Sequence, residues 1–436
     1  MLYKLEFNHR QVLELAVPMI ISNISIPLLG MVDTAVMGHQ EHASYLGGVA
    51  IGSVIFNFIY WGFGFLRMST TGLTAQAFGN HNDLEVKAIL LRAVFLAGCI
   101  ALVLLSLQKP LAYLCFQLFE SSAATQHHAQ QYFSIRIWSA PATFCLYALI
   151  GWFLGLQNVK TPLLIVLTSN ICNILLDLIF VVALHGGISG VAYASVIAEY
   201  SGLFCALLLL RRQLKPLPAG WQWRQNFKSE HFKILFSINR DIFIRTLCLM
   251  FAFAFFTARG AKLGDVILAA NAILLNFQSF MAYALDGFAH AAEALCGRAL
   301  GAKNKPLLKR TIKTAAAWSI LIAGFFSLAY ALFGRQLIDL LSSIENVRST
   351  AYTFLPWMII MPLAAFISYL LDGIFIGLTW SRQMRNSMLF ALICCYLPAW
   401  YFTQPLQNHG LWLALCIFML ARSLSMSWII SRIKII

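Results

Sequence analysis

Charge is what this sequence lacks. Only 11% of its 436 residues are Asp, Glu, Lys or Arg, and 17 are acids. Soluble domains carry about 25% charged residues, so no soluble surface can be built from this chain. Disorder is excluded too, because it needs low hydrophobicity and high net charge. Chemical motifs are also missing. No CxxC or His-rich spacing suggests a metal centre, and no HExxH, GxGD or DDxxD pattern marks a membrane-embedded enzyme. No phosphate-binding glycine loop points to ATP. An enzyme is therefore not expected, and no cofactor is called for. The ten cysteines (99, 115, 145, 172, 205, 248, 296, 394, 395 and 416) all fall in apolar stretches. There they act as small packing residues.

What is present is apolar: 60% hydrophobic residues, 34 Phe, 11 Trp and a mean hydropathy of +0.75. The runs are long and uniform, unlike the short alternating strands of a membrane barrel. A crossing helix needs about 20 apolar residues. Twelve such spans can be drawn, at 11–36, 46–78, 85–107, 124–157, 160–184, 188–211, 233–258, 266–297, 308–337, 349–378, 386–405 and 409–432. The first is too long for a signal peptide and lacks a small-residue cleavage site.

The net charge of +14 follows from topology, not from nucleic acid. Lys4 and Arg10, Lys87 and Arg92, Lys160, the run Arg211–Lys233, Arg298–Lys313, Arg382 and Arg385, and Arg432 and Lys434 occupy alternate loops. Cations mark the cytoplasmic side, so both termini are expected there, facing anionic membrane lipids. The opposite loops hold only Lys109, Arg259, Lys262, Arg335 and Arg348.

The segment 212–232 divides the chain into an N-terminal six-helix lobe, 1–211, and a C-terminal one, 233–436. The halves superpose at a constant offset of 222, matching Gly38 with Gly260, Gly79 with Gly301, Asn82 with Asn304, Gly151 with Gly373 and Gly155 with Gly377. Six is even, so both halves share an orientation and are related about the membrane normal. Two such bundles suit alternating access.

Intramembrane acids cost about 2.5–3.5 kcal/mol on insertion scales and mark function by default. Eight fall within spans: Glu14, Asp33, Asp177, Glu199, Asp241, Asp286, Glu293 and Asp372. Glu14 and Asp241 suit helix starts, where the macrodipole favours an acid. Asp33 and Asp177 lie at a similar depth in the outer half of spans 1 and 5, with Ser195 level with them in span 6. Asn173 shares the face of Asp177, four residues away. With the Val191 carbonyl, these oxygens suit Na+, and paired carboxylates at low dielectric suit H+. A purely structural hydrogen-bonded cluster is the alternative. Pro27, six residues before Asp33, is a candidate hinge or a static kink. In the second half, Arg245, Asp286, Glu293 and Asp372 form a polar or substrate site, with Arg245 expected to pair with Asp286; a structural ion pair is the alternative. Glu199 stands alone mid-span, and His290 is a packed polar residue.

The segment Met31-Val-Asp33-Thr-Ala-Val-Met-Gly38 resembles the first-helix motif of the multidrug and toxic compound extrusion (MATE) family. Leu46-Gly-Gly-Val-Ala50 and Ala75-Gln-Ala-Phe-Gly79 fit the same pattern. Asp286-Gly287-Phe288-Ala289 with Glu293, and Leu371-Asp372-Gly373 with Gly377, resemble its DinF branch. The resemblance implies an all-α polytopic protein of the bacterial inner membrane, with twelve helices in two pseudo-symmetric bundles around a V-shaped cleft. It also implies a monomeric antiporter exporting amphipathic, often cationic, compounds against H+ or Na+. Its cation site maps onto Asp33, Asn173, Asp177, Val191 and Ser195. The competing function is a lipid or lipid-linked oligosaccharide flippase of the same superfamily. That would use cationic residues such as Arg67, Arg136 and Arg245.

Overall fold

The computed structural model describes residues 9–38, 43–117, 122–215 and 228–432, without the side chains at 26, 28, 29, 31–38, 43, 44 and 46. Every regular element among the described residues is helical. In the first half these are α1 (His9–Gly38), α2 (Ala43–Gly62), α3 (Phe65–Gly79), α4 (Asp83–Ser106), α5 (Gln108–Phe116), α6 (Ala123–Arg136), α7 (Ala140–Gly155), α8 (Lys160–Asp177) and α9 (Gly187–Leu214). The second half has α10 (Ser229–Ala261), α11 (Asp265–Gly301), α12 (Lys305–Leu341), α13 (Glu345–Gly377), α14 (Ser381–Phe390), α15 (Leu397–Thr403) and α16 (Gln407–Arg432).

Ten stretches among the described residues are long and apolar enough to cross a membrane. The last, Ser381–Arg432, is two crossings. A 3₁₀ turn at Gln404–Leu406 and a positive φ of 51° at Gln407 reverse the chain there. Gly410 then lies so close to the Thr403 carbonyl that a Cβ would collide with it. With the 30-residue α1, the total is twelve. Several spans are interrupted inside. The second breaks at 62–65 into α2 and α3, and the fourth passes through a 3₁₀ turn at Ile137–Ser139. The fifth and eleventh carry π-helical turns at Leu178–Ala183 and Ala391–Tyr396. None of these breaks is visible in hydropathy, which averages over them. The short α5 was likewise not expected.

By contacts, Ile21–Leu235 form one compact unit, and Phe236 onward, with α1 up to Ile20, form the other. The helix α1 thus serves both. Its first half packs on α11, where Gly287 leaves no room for a Cβ beside Ile20 and the Ala16 carbonyl. His9 meets the edge of Trp318, 6.2 Å away. Its second half belongs to the first unit, where Asn170 of α8 donates to Ser25 at 2.9 Å. The helix runs unbroken through Pro18 and Pro27.

The repeat is written into the backbone. Among the described residues, six non-glycine residues have positive φ: His81, Gln157, His185, Lys303, Thr379 and Gln407. They form three pairs, each separated by the same offset that aligns the two halves. Such residues are uncommon outside glycine, so three chance coincidences at one offset are not credible. Helix crossings repeat as well. A Cβ at Gly151 or Gly155 would strike the Arg67 or Thr71 carbonyl, and one at Gly373 or Gly377 would strike that of Ala289 or Glu293. The struck residues stand at that offset too. In both units, glycine lets the same two helices touch backbone to backbone. Each unit is packed around buried aromatics, Trp152 and Phe153 in the first and Trp412 and Phe418 in the second.

Candidate functional site

In the first unit, α8 and α9 run antiparallel and carry the oxygen cluster. Asn173 and Asp177 sit one turn apart on α8, both buried, with Asp177 fully so. The Asn173 side-chain amide faces the Ser195 hydroxyl of α9 at 3.4 Å, at the outer edge of hydrogen-bonding range. The Asn173 carbonyl oxygen, also buried, has no hydrogen-bond partner among the described residues. Val191 is fully buried one turn before Ser195. An oxygen without a donor, beside a hydroxyl and a carboxylate, can accept a hard cation or a proton-bearing group.

Asp33 lies in α1, and its side chain is outside the described residues. Its backbone level can still be found. The Ser25–Asn170 contact fixes α1 against α8. Asp33 is eight residues beyond that contact on one helix and Asp177 seven beyond on the other. At 1.5 Å per residue, the two rises are about 12 and 10.5 Å. Both helices run the same way across the membrane, so the two acids come to the same depth.

Glu199 is not alone. Four residues after Ser195 and on the same face, its carboxylate meets the Arg136 guanidinium at 3.5 Å. Arg136 also donates to Ser139 at 2.6 Å, and Tyr60 bonds that hydroxyl at 2.7 Å. The guanidinium lies 5.9 and 5.7 Å from the rings of Phe56 and Tyr60. Arg136 precedes the 3₁₀ turn of the fourth span and Ser139 ends it, so the ion pair ties that break to α9. A 3.6-residue pattern cannot reveal a partner on another helix.

In the second unit, Arg245 does not pair with Asp286 as expected. Its guanidinium bonds Asp372 of α13. A second arginine that the sequence did not bring forward, Arg422 of α16, bonds the same Asp372 oxygen at 2.6 Å. All three are buried. An arginine in the middle of the last apolar span was itself a signal. Asp286, half-buried, acts electrostatically on Tyr369, whose hydroxyl accepts from Gln278 at 3.3 Å. Glu293 is buried with His290 Nδ1 at 3.4 Å, so that histidine has an ionisable neighbour.

The remaining two span acids are ion-paired. Asp241 is buried but bonded by Arg385 at 2.7 Å and by Ser381 at 3.3 Å. Glu14 is exposed and pairs with Arg10 at 2.7 Å. No group of three or more His, Cys, Asp and Glu residues among the described residues could hold a metal ion. All ten cysteines are free thiols.

Comparison with known proteins agrees with this organisation. The family profile MatE matches twice, at residues 18–179 and 242–401, in step with the internal repeat. The chain is 42% identical over 424 residues to DNA damage-inducible protein F of Escherichia coli, covering 96% of this chain and 91% of that one. It is 23% identical to a probable multidrug resistance protein NorM of Bacillus cereus, over 94% and 91% of the two chains. Among solved structures, an outward-facing multidrug resistance MATE family transporter superposes with a TM-score of 0.89 at 17% identity, covering 98% and 96%. The bent form of the Vibrio cholerae MATE transporter VcmN gives 0.85 at 21%, covering 96% and 95%. At these identities the two structures speak for the fold.

Proposed function

Because the chain belongs to the MATE family of multi-pass membrane transporters, we propose that it is a secondary antiporter of the bacterial inner membrane. It exports amphipathic, often cationic, compounds in exchange for H+ or Na+. Coupling takes place in the first unit, at Asp33, Asn173, Asp177, the Val191 carbonyl and Ser195. The observation that carries this is the buried Asn173 carbonyl oxygen, which meets no donor among the described residues, beside Ser195 and one turn from Asp177. Burying a polar atom unsatisfied costs about 1–3 kcal/mol, so such an atom earns its place by binding something. The level of Asp33 on α1 supports the same site.

The second-unit acid has a different role. Two guanidiniums already neutralise Asp372 and leave it little affinity for a further cation. Arg245, Asp286, Glu293 and Asp372 therefore shape the wall facing the substrate and stabilise the fold. Against a flippase for phosphate-bearing lipids stands the engagement of these arginines within the protein: Arg136 pairs with Glu199, and Arg245 and Arg422 share the one carboxylate of Asp372.

The test is dye export from proteoliposomes with the pH and sodium gradients imposed independently. Wild type should respond to one gradient. Asp33→Asn and Asp177→Asn should abolish that response while the protein still inserts. Normal gradient-driven export by both variants would refute the coupling site.

A further inference from the structure

At the end of α12 remote from its Lys305, Lys309, Arg310 and Lys313 start, a groove of about 280 Å³ opens between α12 and α13. One wall carries Leu332, Arg335 and Gln336, the other Tyr352, Pro356 and Ile359.

Around this groove stand two cations and two acids, and Arg335 alone among them makes no ion pair among the described residues. Arg348 pairs with Glu345 and lies 3.7 Å from Asp339, which also accepts from the Tyr352 hydroxyl. Arg335 has no acidic partner among the described residues. Its guanidinium lies 5.4 Å from the Tyr352 ring centroid and is exposed. A second polar feature sits beside it. Pro356 has no N–H, so the Tyr352 carbonyl loses its usual helical donor.

Below the groove runs an apolar track. Leu321, Phe325, Leu328 and Leu332 are 58–62% exposed. Their spacing of four, three and four puts them on one face of α12. The next steps on that face are Arg335 and Gln336. The track from Leu321 to Leu332 rises about 16 Å, close to half of the ~30 Å hydrocarbon core of a bilayer. Arg335 thus caps a greasy stripe one leaflet deep.

The geometry points to a binding site for one anionic phospholipid of the phosphatidylglycerol type. Its phosphate sits on Arg335, its headgroup hydroxyls reach Gln336 and the Tyr352 carbonyl, and one acyl chain lies along the stripe. The site is independent of the coupling ion and of the transported compound.

Native mass spectrometry of the purified full chain tests this, with equimolar phosphatidylglycerol and phosphatidylethanolamine of the same acyl chains. Wild type should retain phosphatidylglycerol in preference. Arg335→Gln, a surface change that leaves packing intact, should cut that preference about tenfold, and Arg335→Lys should keep most of it. In detergent, phosphatidylglycerol should raise the unfolding temperature of wild type but not of Arg335→Gln, and inorganic phosphate should raise neither. The proposal falls if Arg335→Gln holds phosphatidylglycerol like wild type. It also falls if the two lipids are retained equally, or if inorganic phosphate reproduces the stabilisation.

Discussion

The two six-helix units share a backbone and differ in their polar centres. Each contains an ion pair linking its fourth span to its sixth, half-buried in the first unit and buried in the second, near tyrosines that the repeat makes equivalent, Tyr147 and Tyr369. In the first unit the cation is on the fourth span and the acid on the sixth, as Arg136 and Glu199. In the second the signs are exchanged, as Asp372 and Arg422. Tyr147 lies in the field of Glu199, Arg67 and Arg136, and Tyr369 in that of Asp286, Arg422 and Asp372. What repeats is that a carboxylate meets a guanidinium across these two spans, not which helix carries which sign; the second cluster also holds Arg245 on the same carboxylate. Duplication preserved the backbone devices that cannot be exchanged and let the paired charges drift. The oxygen cluster broke with the symmetry altogether: Asp33, Asn173, Asp177 and Ser195 correspond to Phe255, Cys395, Ala399 and Ile417.

If that difference separates coupling from stability, neutralising one acid in each unit should produce opposite phenotypes. Asp177→Asn should lower gradient-dependent export at least tenfold and leave the unfolding temperature nearly unchanged. Asp372→Asn should do the reverse. It strands two buried guanidiniums, and breaking a buried pair costs about 3–5 kcal/mol. Calorimetry of the two variants beside their export rates decides the matter. Loss of coupling in both, with equal stability, would erase the distinction.

The glycine crossings should instead behave alike. Gly151→Ala and Gly373→Ala each push a Cβ into a carbonyl, of Arg67 and Ala289 respectively. Neither partner is a flexible side-chain end, so the helices must separate. Overpacking costs about 1–3 kcal/mol. Similar losses in thermal unfolding would confirm that the two contacts are one inherited device, and a loss in only one would break the equivalence.

Exchange of the charges in the first unit sharpens the comparison further. Arg136→Glu and Glu199→Arg should each destabilise the protein. The double variant should recover part of the loss, because it imitates the polarity of the second unit. A coupling energy of about 0.5–3 kcal/mol is expected for residues in one ion pair. Full recovery is not expected, since Arg136 also bonds Ser139 beside the 3₁₀ turn.

Much of this was legible in the sequence, and the reason is that its signals were periodic or local. Apolar runs of one bilayer thickness placed twelve spans within a few residues. A constant offset exposed the repeat, and spacing of four put Asn173 beside Asp177. What failed was partner choice between helices. Arg245 was set opposite Asp286 on depth alone, but rotation of a helix about its axis decides which side chains meet, and hydropathy does not report it. Glu199 looked solitary for the same reason, since its partner Arg136 comes from a different span, far earlier in the chain. Arg422 stands amid an apolar span with no periodic or local signal to say which acid it meets. The breaks at 62–65 and 137–139 depend on local hydrogen bonding, which average hydropathy smooths away.

The smallest test concerns two helix starts. Asn82 and Asn304 are equivalent caps, each accepting a hydrogen bond at 3.0 Å from the backbone N–H three residues on, of Glu85 and Leu307. Each follows a positive-φ residue, His81 or Lys303. Their surroundings differ in charge. After Asn82 the first turn holds Asp83 and Glu85, which favour the positive end of the helix dipole. After Asn304 it holds no acid and begins with Lys305, with Lys309 and Arg310 close behind. Those cations suit the cytoplasmic side under the positive-inside rule and oppose the dipole. Asn304→Ala should therefore cost more than Asn82→Ala: about 1 kcal/mol against about half that, within the usual range for caps. Hydrogen exchange at the Leu307 and Glu85 amides measures each loss directly. Adding Lys305→Glu should bring the second cost down to the first. If the two alanine variants are equal from the outset, the local charges do not matter here, and the caps join the glycines among the features that duplication left unchanged.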